Sequence, residues 1–256
     1  MASFLHFRRK LNKGLALARV PVWRKGLASA VAAAIEHRDC LSDLDFSTCI
    51  DVGANAGQFS LLIRGIRPEC RIFAFEPLAR PAAKFREVHG GAPKVEFFNM
   101  ALGAAAEEKV IQVTAKDDSS SFLDPADVRQ FGPNTDRVGE EMVRIDRLDS
   151  VLSPEQLSGK VLLKMDVQGF EDKVLEGAKA ILPHVEWVYT ETSFTPLYAG
   201  QPLFDDLHTL LRDLGFEIRR IGEVSGTPSN IQSIIDVLYQ RRAASPAGEA
   251  VIGAAA

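Results

Sequence analysis

From about residue 48 onward, short runs rich in β-branched and aromatic residues alternate with longer amphipathic segments. Helical spacing of apolar residues occurs near 57–66, 78–89, 170–182 and 203–214. This alternation is typical of parallel strands joined by crossover helices, so it predicts an α/β fold. The runs that predict strands lie at 48–52, 71–75, 94–98, 160–166, 185–191 and 216–221.

A last apolar run, 233-SIIDVLYQ-240, follows the strand at 216–221 through a loop that contains glycines and a proline. This connection is too short for a helical crossover, so we expect the last two strands to be antiparallel. The pattern therefore predicts a mostly parallel seven-stranded sheet with an antiparallel last strand.

Two further strand-like runs, 109-KVIQVTA-115 and 141-EMVRID-146, interrupt the alternation. They flank the polar segment 116–140, which is too long for an ordinary connection inside one domain. We therefore interpret residues of about 104–147 as an insertion beside the active site.

The first 45 residues form a locally cationic segment, with seven Lys and Arg side chains before the first acidic residue, Glu36. Their apolar residues recur at three- and four-residue steps, which predicts an amphipathic helix. We expect this helix to pack on the core or on a sister subunit of a homo-oligomer; contact with a membrane surface is the less favoured alternative. The main domain is predicted over 46–241, followed by a disordered tail over 242–256.

Length and composition limit the class of protein. A chain of 256 residues with 46% hydrophobic content suffices for one substantial core. The net charge of −4 argues against a global basic field for binding nucleic acid. The three cysteines form no CxxC pair, which is typical of reduced, intracellular proteins, and no apolar stretch approaches the roughly 18 residues of a spanning helix. We expect a cytoplasmic protein.

The segment 51-DVGANAG-57 lies where the first predicted strand meets a helix. In open parallel sheets, ligands bind beyond the carboxyl ends of the strands. Gly53 permits a sharp turn and a close approach of a ligand, and Gly57 permits close packing of the helix. The Asp51 side chain is a candidate to brace the turn or to accept hydrogen bonds from a ligand's amino group. Further candidates for cofactor contact in this turn are Ala54, Asn55 and Gln58.

The second strand ends in 72-IFAFEPLA-79, which places Glu76 and Pro77 at its carboxyl end. The two oxygens of a carboxylate match the two hydroxyl donors of a ribose, so Glu76 predicts a ligand of the adenosine type. The G-x-G-x-x-G pattern of dinucleotide sites is absent, and an acidic Asp51 suits the cationic sulfonium of S-adenosylmethionine better than a pyrophosphate. After the third strand, Asn99 and Ala101 are candidates to flank the adenine.

The fourth strand and its helix read 160-KVLLKMDVQGFEDKVLEGA-178. Lys164 and Asp166 share one face of the strand, with Asp166 at the carboxyl end. Glu171 falls in the first helical turn, where a carboxylate complements the helix dipole.

These motifs together resemble the FkbM family of S-adenosylmethionine-dependent methyltransferases over residues of about 48–220. The resemblance implies a class I, Rossmann-like three-layer sandwich and O-methylation of hydroxyl groups on sugars, glycans or polyketide-type natural products. The chain has Gln168 where an acidic residue is common in the family. The segments that carry the resemblance are DVGANAG at 51, FEP at 75, residues 99–103, KMDVQGFE at 164 and EGA at 176.

For methyl transfer to a hydroxyl, the protein supplies alignment and a group that takes the proton. Asp166 is the first candidate for the base, with cofactor positioning as its alternative role. Glu191, at the end of the fifth strand, is a second candidate, and Lys164 is predicted to pair with a carboxylate. We expect no metal ion, and His37 and His89 lack a partner pattern in the sequence. An NAD-dependent oxidoreductase and a non-catalytic binding module on the same fold are the alternative functions.

Overall fold

The structure is a computed structural model that describes residues 14, 17–115, 119–126, 137–225 and 234–243. Most of the predicted N-terminal helix, the middle of the insertion and nearly all of the predicted tail lie outside these residues. The division into segment, domain, insertion and tail therefore stays a prediction.

The described residues form ten strands, and the seven that belong to the main sheet begin and end within a few residues of the runs predicted above. In chain order the strands are β1 (Thr48–Val52), β2 (Arg71–Phe75), β3 (Val95–Phe98), β4 (Ala101–Leu102), β5 (Glu107–Thr114), β6 (Arg137–Asp146), β7 (Val161–Met165), β8 (Val185–Ser193), β9 (Phe216–Ser225) and β10 (Ile234–Arg241).

Seven strands form one sheet in the order β3-β2-β1-β7-β8-β10-β9. The pairs β2–β3, β1–β2, β1–β7 and β7–β8 are parallel, whereas β10 is antiparallel to both β8 and β9. The predicted sheet is thus confirmed, and its antiparallel strand lies inside the sheet rather than at the edge. The strand order reverses between β1 and β7, which opens a crevice at their carboxyl ends.

Helices cover both faces of this sheet, which gives the three-layer sandwich. Helices α1, α3 and α4 pack on one face, and α5, α6 and α7 pack on the other. None of the helices in the described ranges is long and apolar enough to cross a membrane. The helices are α1 (Pro21–Ala28), α2 (Arg38–Leu41), α3 (Gln58–Ile66), α4 (Ala79–His89), α5 (Leu148–Val151), α6 (Glu171–Glu176) and α7 (Phe204–Asp213).

Helix α6 is shorter than the pattern at 170–182 predicts, because it ends at Glu176. A side chain on Gly177 would place its Cβ 1.9 Å from the carbonyl oxygen of Gly103, so only glycine fits there. The chain then turns and enters β8 through a short 3-10 helix at Leu182–His184. The prediction of one continuous helix over 170–182 is therefore wrong, because a turn and a 3-10 helix take up its second half.

The two extra strands predicted around residues 109–115 and 141–146 form a small second sheet with β4, in the order β4-β6-β5. Strands β5 and β6 are antiparallel. Ile111 and Val143 on this sheet pack against Leu78, which follows β2. The small sheet therefore lies beside the carboxyl end of β2, next to the crevice.

Candidate active site

A cleft lies at the carboxyl ends of β1, β2 and β7 and encloses about 630 Å³, including its open mouth. Apolar residues of β4 and the small sheet form one wall, and the turns that follow the three parallel strands form the other. Its lining residues include Gly53, Asn55, Glu76, Pro77, Met100, Ala101, Ile111, Phe122, Asp166, Gln168 and Phe170.

The turn after β1 is held by backbone hydrogen bonds to the neighbouring strand. The amides of Gly53 and Ala54 both donate to the carbonyl oxygen of Phe75, at 3.0 and 2.9 Å. Gly53 has a φ of +74°, and a Cβ there would lie 1.9 Å from the carbonyl oxygen of Asp166. The turns after β1 and β7 therefore touch each other, and only glycine permits this contact.

Glu76 lies at the bottom of the cleft, 6% exposed, with both carboxylate oxygens fixed by backbone amides. Its Oε2 accepts a hydrogen bond from the Asn55 amide and its Oε1 accepts one from the Leu78 amide, each at 2.9 Å. Burial raises the pKa of Glu76 to about 7, although these two hydrogen bonds oppose the shift. Each oxygen retains a lone pair that a ligand hydroxyl can approach from the cleft.

Asp51 and Lys164 lie beneath the turn after β1, outside the cleft lining. Ser60 donates a 2.7 Å hydrogen bond to Oδ2 of the fully buried Asp51, and Lys164 Nζ lies 3.3 Å from its Oδ1. Lys164 Nζ also donates to the Gly53 carbonyl oxygen at 2.7 Å. Burial lowers the pKa of Lys164, but the negative charges of Asp51 and Asp166 outweigh it, and the net pKa shift is upward. This geometry favours bracing of the turn over ligand contact for Asp51 and over catalysis for Lys164.

Three other predicted cofactor residues do not line the cleft. Ala54 is buried and Gln58 faces a separate groove beside α4. A Cβ on Gly57 would lie 2.3 Å from His89 Nε2, so this glycine permits close packing against α4 rather than against a strand. His89 therefore has partners that the sequence pattern did not reveal: its Nε2 donates a hydrogen bond to the Gly57 carbonyl oxygen at 3.1 Å, and its Nδ1 lies 3.2 Å from the Arg64 guanidinium.

Asn99 also lies outside the cleft lining, where its amide group supports the turn after β2. Its Nδ2 donates to the carbonyl oxygens of Glu76 and Pro77, both at 2.9 Å. Its Oδ1 accepts a hydrogen bond from Arg86. Ala101, two residues later, does line the cleft. Asn99 thus acts on the ligand site through the backbone of Glu76.

Asp166 and Glu191, the two candidate bases, come together at the ends of β7 and β8. The side chain of Asp166 is 40% exposed and lines the cleft. Gln168 Nε2 donates to Asp166 Oδ1 at 2.8 Å and lies 3.3 Å from Glu191 Oε2. Burial, followed by the nearby carboxylates, of which Asp166 is the strongest, raises the pKa of Glu191 well above its ordinary value. The buried position of Glu191 thus favours the protonated form of its carboxyl group.

Glu171 braces the same turn from the start of α6. Its Oε1 accepts hydrogen bonds from the amides of Val167 and Gly169, at 3.2 and 3.4 Å. Burial raises its pKa to about 7. The side chain points under the turn, as expected for a residue that stabilises the loop rather than reacting.

Two groups of residues were missed by the sequence reasoning. Gln168 bridges the two candidate bases, Asp166 and Glu191, and no local sequence pattern predicts this contact. His37 has partners after all: its Nδ1 lies 2.9 Å from the Tyr189 hydroxyl and 3.2 Å from Asp236 Oδ2. These partners are far from His37 in the sequence, and only the pairing of β8 with β10 brings them together.

The residues around the cleft fit an adenosine ligand with a cationic methyl donor. The fixed carboxylate of Glu76 offers acceptors to a cis-diol, and Gly53 and Asn55 contribute to the cleft lining beside it. Met100, Phe122 and Phe170 supply apolar surface for a flat ring. Asp166 places an acidic side chain on the cleft wall, which suits a positively charged ligand.

Residues 51–218 match the profile of the family described as the methyltransferase FkbM domain. This match spans more than half of the chain, and the chain belongs to the FkbM methyltransferase family. The resemblance inferred from the motifs, and the methyltransferase class with its Rossmann-like fold, are thereby confirmed.

Several methyltransferases are similar to this chain in sequence or in fold. The 2-O-methyltransferase NoeI of Sinorhizobium fredii is 29% identical over 207 residues, which cover 75% of this chain and 84% of NoeI. The methyltransferase sdnD of Sordaria araneosa is 28% identical over 199 residues, which cover 67% of this chain and 74% of sdnD. The crystal structure of a methyltransferase FkbM from Methylobacillus flagellatus is 15% identical with a TM-score of 0.47; the match covers 77% of this chain and 45% of that one.

Proposed function

We propose that this chain is an S-adenosylmethionine-dependent O-methyltransferase whose acceptor is a hydroxyl group on a sugar, a glycan or a polyketide-type natural product. Family membership supplies the reaction class. The observation that carries the cofactor assignment is Glu76, a buried carboxylate at the bottom of the cleft with both oxygens oriented by backbone amides. The similarity to a 2-O-methyltransferase supports oxygen as the atom that is methylated.

In this proposal Glu76 accepts hydrogen bonds from the two ribose hydroxyls. The backbone of Gly53 and Asn55 lies against the amino acid portion, and Met100 and Ala101 flank the adenine. Asp51 acts indirectly, because it holds Lys164 and thereby the turn. Gln58 and Asn99 are assigned to the support of the site rather than to direct contact.

S-adenosylmethionine, when bound, supplies a methyl group activated by a sulfonium. The chain's task is to orient the acceptor hydroxyl and to take its proton. Asp166 is the group proposed to take that proton, because it lines the cleft and is open to an incoming ligand. Burial and the neighbouring carboxylates raise the pKa of Glu191, which favours its protonated form, so it is proposed to bind the acceptor as a hydrogen-bond donor rather than to act as the base. Lys164 is not proposed as a catalytic residue.

Binding of the cofactor class is tested by calorimetric titration with S-adenosylhomocysteine and, in parallel, with NAD. We expect saturable binding of the first compound only. Saturable binding of NAD alone would overturn the proposal in favour of an oxidoreductase, and binding of neither by folded protein would favour a non-catalytic module.

The acceptor class is tested by transfer of a labelled methyl group from S-adenosylmethionine to a panel of methyl glycosides and hydroxylated polyketide-type compounds. Matched acceptors in which one hydroxyl is replaced by hydrogen or by an amine locate the methylated atom. Products stable to mild acid and base are expected for ethers. If only the acceptors that carry an amine in place of the hydroxyl become methylated, the result would contradict O-methylation.

A further inference from the structure

Gln168 lies in the wall between two cavities at the ends of β7 and β8. One is the cleft described above. The other is a smaller cavity lined by Glu191, Thr192, Tyr198 and Gln201, among others. A side chain in this wall can transmit the arrangement of one cavity to the other.

The amide group of Gln168 connects three side chains from different parts of the chain. Its Nε2 faces the carboxylates of Asp166, at 2.8 Å, and Glu191, at 3.3 Å. Its Oε1 accepts a 2.9 Å hydrogen bond from the Tyr198 hydroxyl. The amide nitrogen and the amide oxygen of Gln168 thus both have hydrogen-bond partners, and these partners come from three different parts of the chain around the two cavities.

The backbone of Gln168 is held in an unfavourable conformation that aims this side chain. Its φ is +54°, in the left-handed region that a residue with a side chain rarely adopts. The Ser121 hydroxyl donates a 2.7 Å hydrogen bond to the Gln168 carbonyl oxygen and stabilises this conformation. A strained residue at this point supports a functional role for the turn that carries it.

We propose that Gln168 is a positioning residue: its amide hydrogens hold the Asp166 carboxylate toward the cleft and Glu191 beside it, and Tyr198 fixes the amide in turn. This inference rests on the proposed function, since it assigns Asp166 and Glu191 to the reaction. Gln168 itself takes no proton and forms no bond in the reaction.

The neutral amide suits the charges that surround it. Carboxyl groups of Asp166, Glu171 and Asp236 all raise the pKa of Glu191 by repulsion. Among the described residues, positive groups beside these carboxyl groups are Lys164, with Nζ 3.9 Å from Asp166 Oδ2, and His37 when protonated, with Nδ1 3.2 Å from Asp236 Oδ2. An amide donates two hydrogens without adding a further negative charge, which a carboxylate at this position cannot do.

The test uses two variants, Gln168→Met and Gln168→Glu, which keep the length of the side chain and remove the paired donors. Gln240→Met is the matched control, because the Gln240 amide also donates to a carboxylate, Glu186, at 3.0 Å but on the far part of the sheet. Three quantities are measured for each protein: the affinity for S-adenosylhomocysteine, the titration of Glu191 by carboxyl carbon NMR, and methyl transfer to the acceptor found in the screen.

We expect all variants to bind S-adenosylhomocysteine within about threefold of wild type, since Gln168 does not hold the nucleoside. Gln168→Met should raise the Glu191 midpoint by about one pH unit, because the charged form loses a donor. Both Gln168 variants should lower kcat at least about tenfold with little change in the cofactor KM, as misplacement of a base does. Gln240→Met should match wild type in all three.

An unchanged Glu191 midpoint and unchanged kcat in Gln168→Met would overturn the inference, and wild-type kcat in Gln168→Glu would remove the role of the amide hydrogens. Failure of the proposed function gives a different result. In that case wild type fails to bind S-adenosylhomocysteine, while the Glu191 titration in Gln168→Met still reports whether Gln168 holds the carboxylate.

Discussion

Lys164 and Asp51 face each other across β7 and β1, with Lys164 Nζ 3.3 Å from Asp51 Oδ1 and both side chains buried. The two residues are direct neighbours in the parallel register of these strands. Lys164 also holds the Gly53 carbonyl oxygen. One buried ion pair thus supports the turn that forms the floor of the cleft. The position of this turn therefore depends on side chains in the interior of the sheet.

Replacement of Lys164 by Met should therefore destabilise the protein strongly. The change leaves the Asp51 carboxylate buried without its counter-charge, and removal of one partner of a buried pair costs about 3–5 kcal/mol. The free energy of unfolding, measured with urea, tests this. The matched control is Lys160→Met, because Lys160 pairs with Asp45 at 3.4 Å on the surface, where an ion pair contributes about 0–1 kcal/mol. Equal effects of the two changes would contradict the proposed importance of the buried pair.

Gly53→Ala should disrupt the contact between the turns after β1 and β7. The new Cβ would overlap the Asp166 carbonyl oxygen, and the φ of +74° adds a conformational cost. Gly91→Ala isolates that second cost, since Gly91 has a φ of +75° with open space around its Cβ position. We expect about 1–2 kcal/mol for Gly91→Ala and clearly more for Gly53→Ala, with weakened binding of S-adenosylhomocysteine only in the latter. Indistinguishable behaviour of the two variants in calorimetry would refute the close approach.

Glu76→Ala should weaken binding of S-adenosylhomocysteine by at least about 100-fold, because hydrogen bonds to a charged group contribute about 1.5–3 kcal/mol each. Calorimetric titration at a temperature where circular dichroism shows the variant folded measures this loss. Glu96→Ala is the control, since Glu96 lies on the adjacent strand β3 in an exposed ion pair with Arg71. If both variants keep wild-type affinity, Glu76 does not bind the ribose.

Glu171 gives a prediction for the pH dependence of stability. Its pKa is about 7 in the folded protein against 4.5 for the free group, so ionisation of Glu171 is less favourable in the folded state than in the unfolded state. Stability from this residue is complete below pH 4.5 and is lost as the pH rises through 7; the loss amounts to about 3 kcal/mol at most.

Glu171→Gln removes this titration and retains an oxygen that accepts from the Val167 and Gly169 amides. Urea unfolding at several values between pH 5 and pH 8 should show a smaller decline with pH for the variant than for wild type. Parallel curves for the two proteins would mean that Glu171 ionises freely in the folded state.

Several structural features follow from local sequence patterns. The strands β1, β2 and β7 are apolar runs bounded by turn residues, so their limits are encoded in a few adjacent positions. Glu76 and Asp166 follow directly after parallel strands, which places both at the carboxyl edge once the fold class is known. Family motifs added the reaction class, because they combine these positions at a fixed spacing.

Other features depend on contacts between distant parts of the chain. Asp51 looks like a ligand contact in the motif, yet the alternation of β1 directs its side chain to Ser60 and Lys164. The carbonyl group of Gly103 packs so closely against Gly177, just after α6, that no side chain fits there. No local sequence pattern predicts such contacts, since each partner residue by itself is compatible with many different neighbours in the folded chain.

The sequence by itself determined the strands, their carboxyl ends and the family, because hydrophobic period and short motifs act over a few residues. Only the tertiary structure decided which polar side chains face the cleft and which hold it from behind. Gln168 joins Asp166, Glu191 and Tyr198 because β7 and β8 end side by side and the loop carrying Tyr198 folds back on them. Hydrogen bonds act over about 3 Å, so they arise only after packing has fixed the backbones that carry the partners.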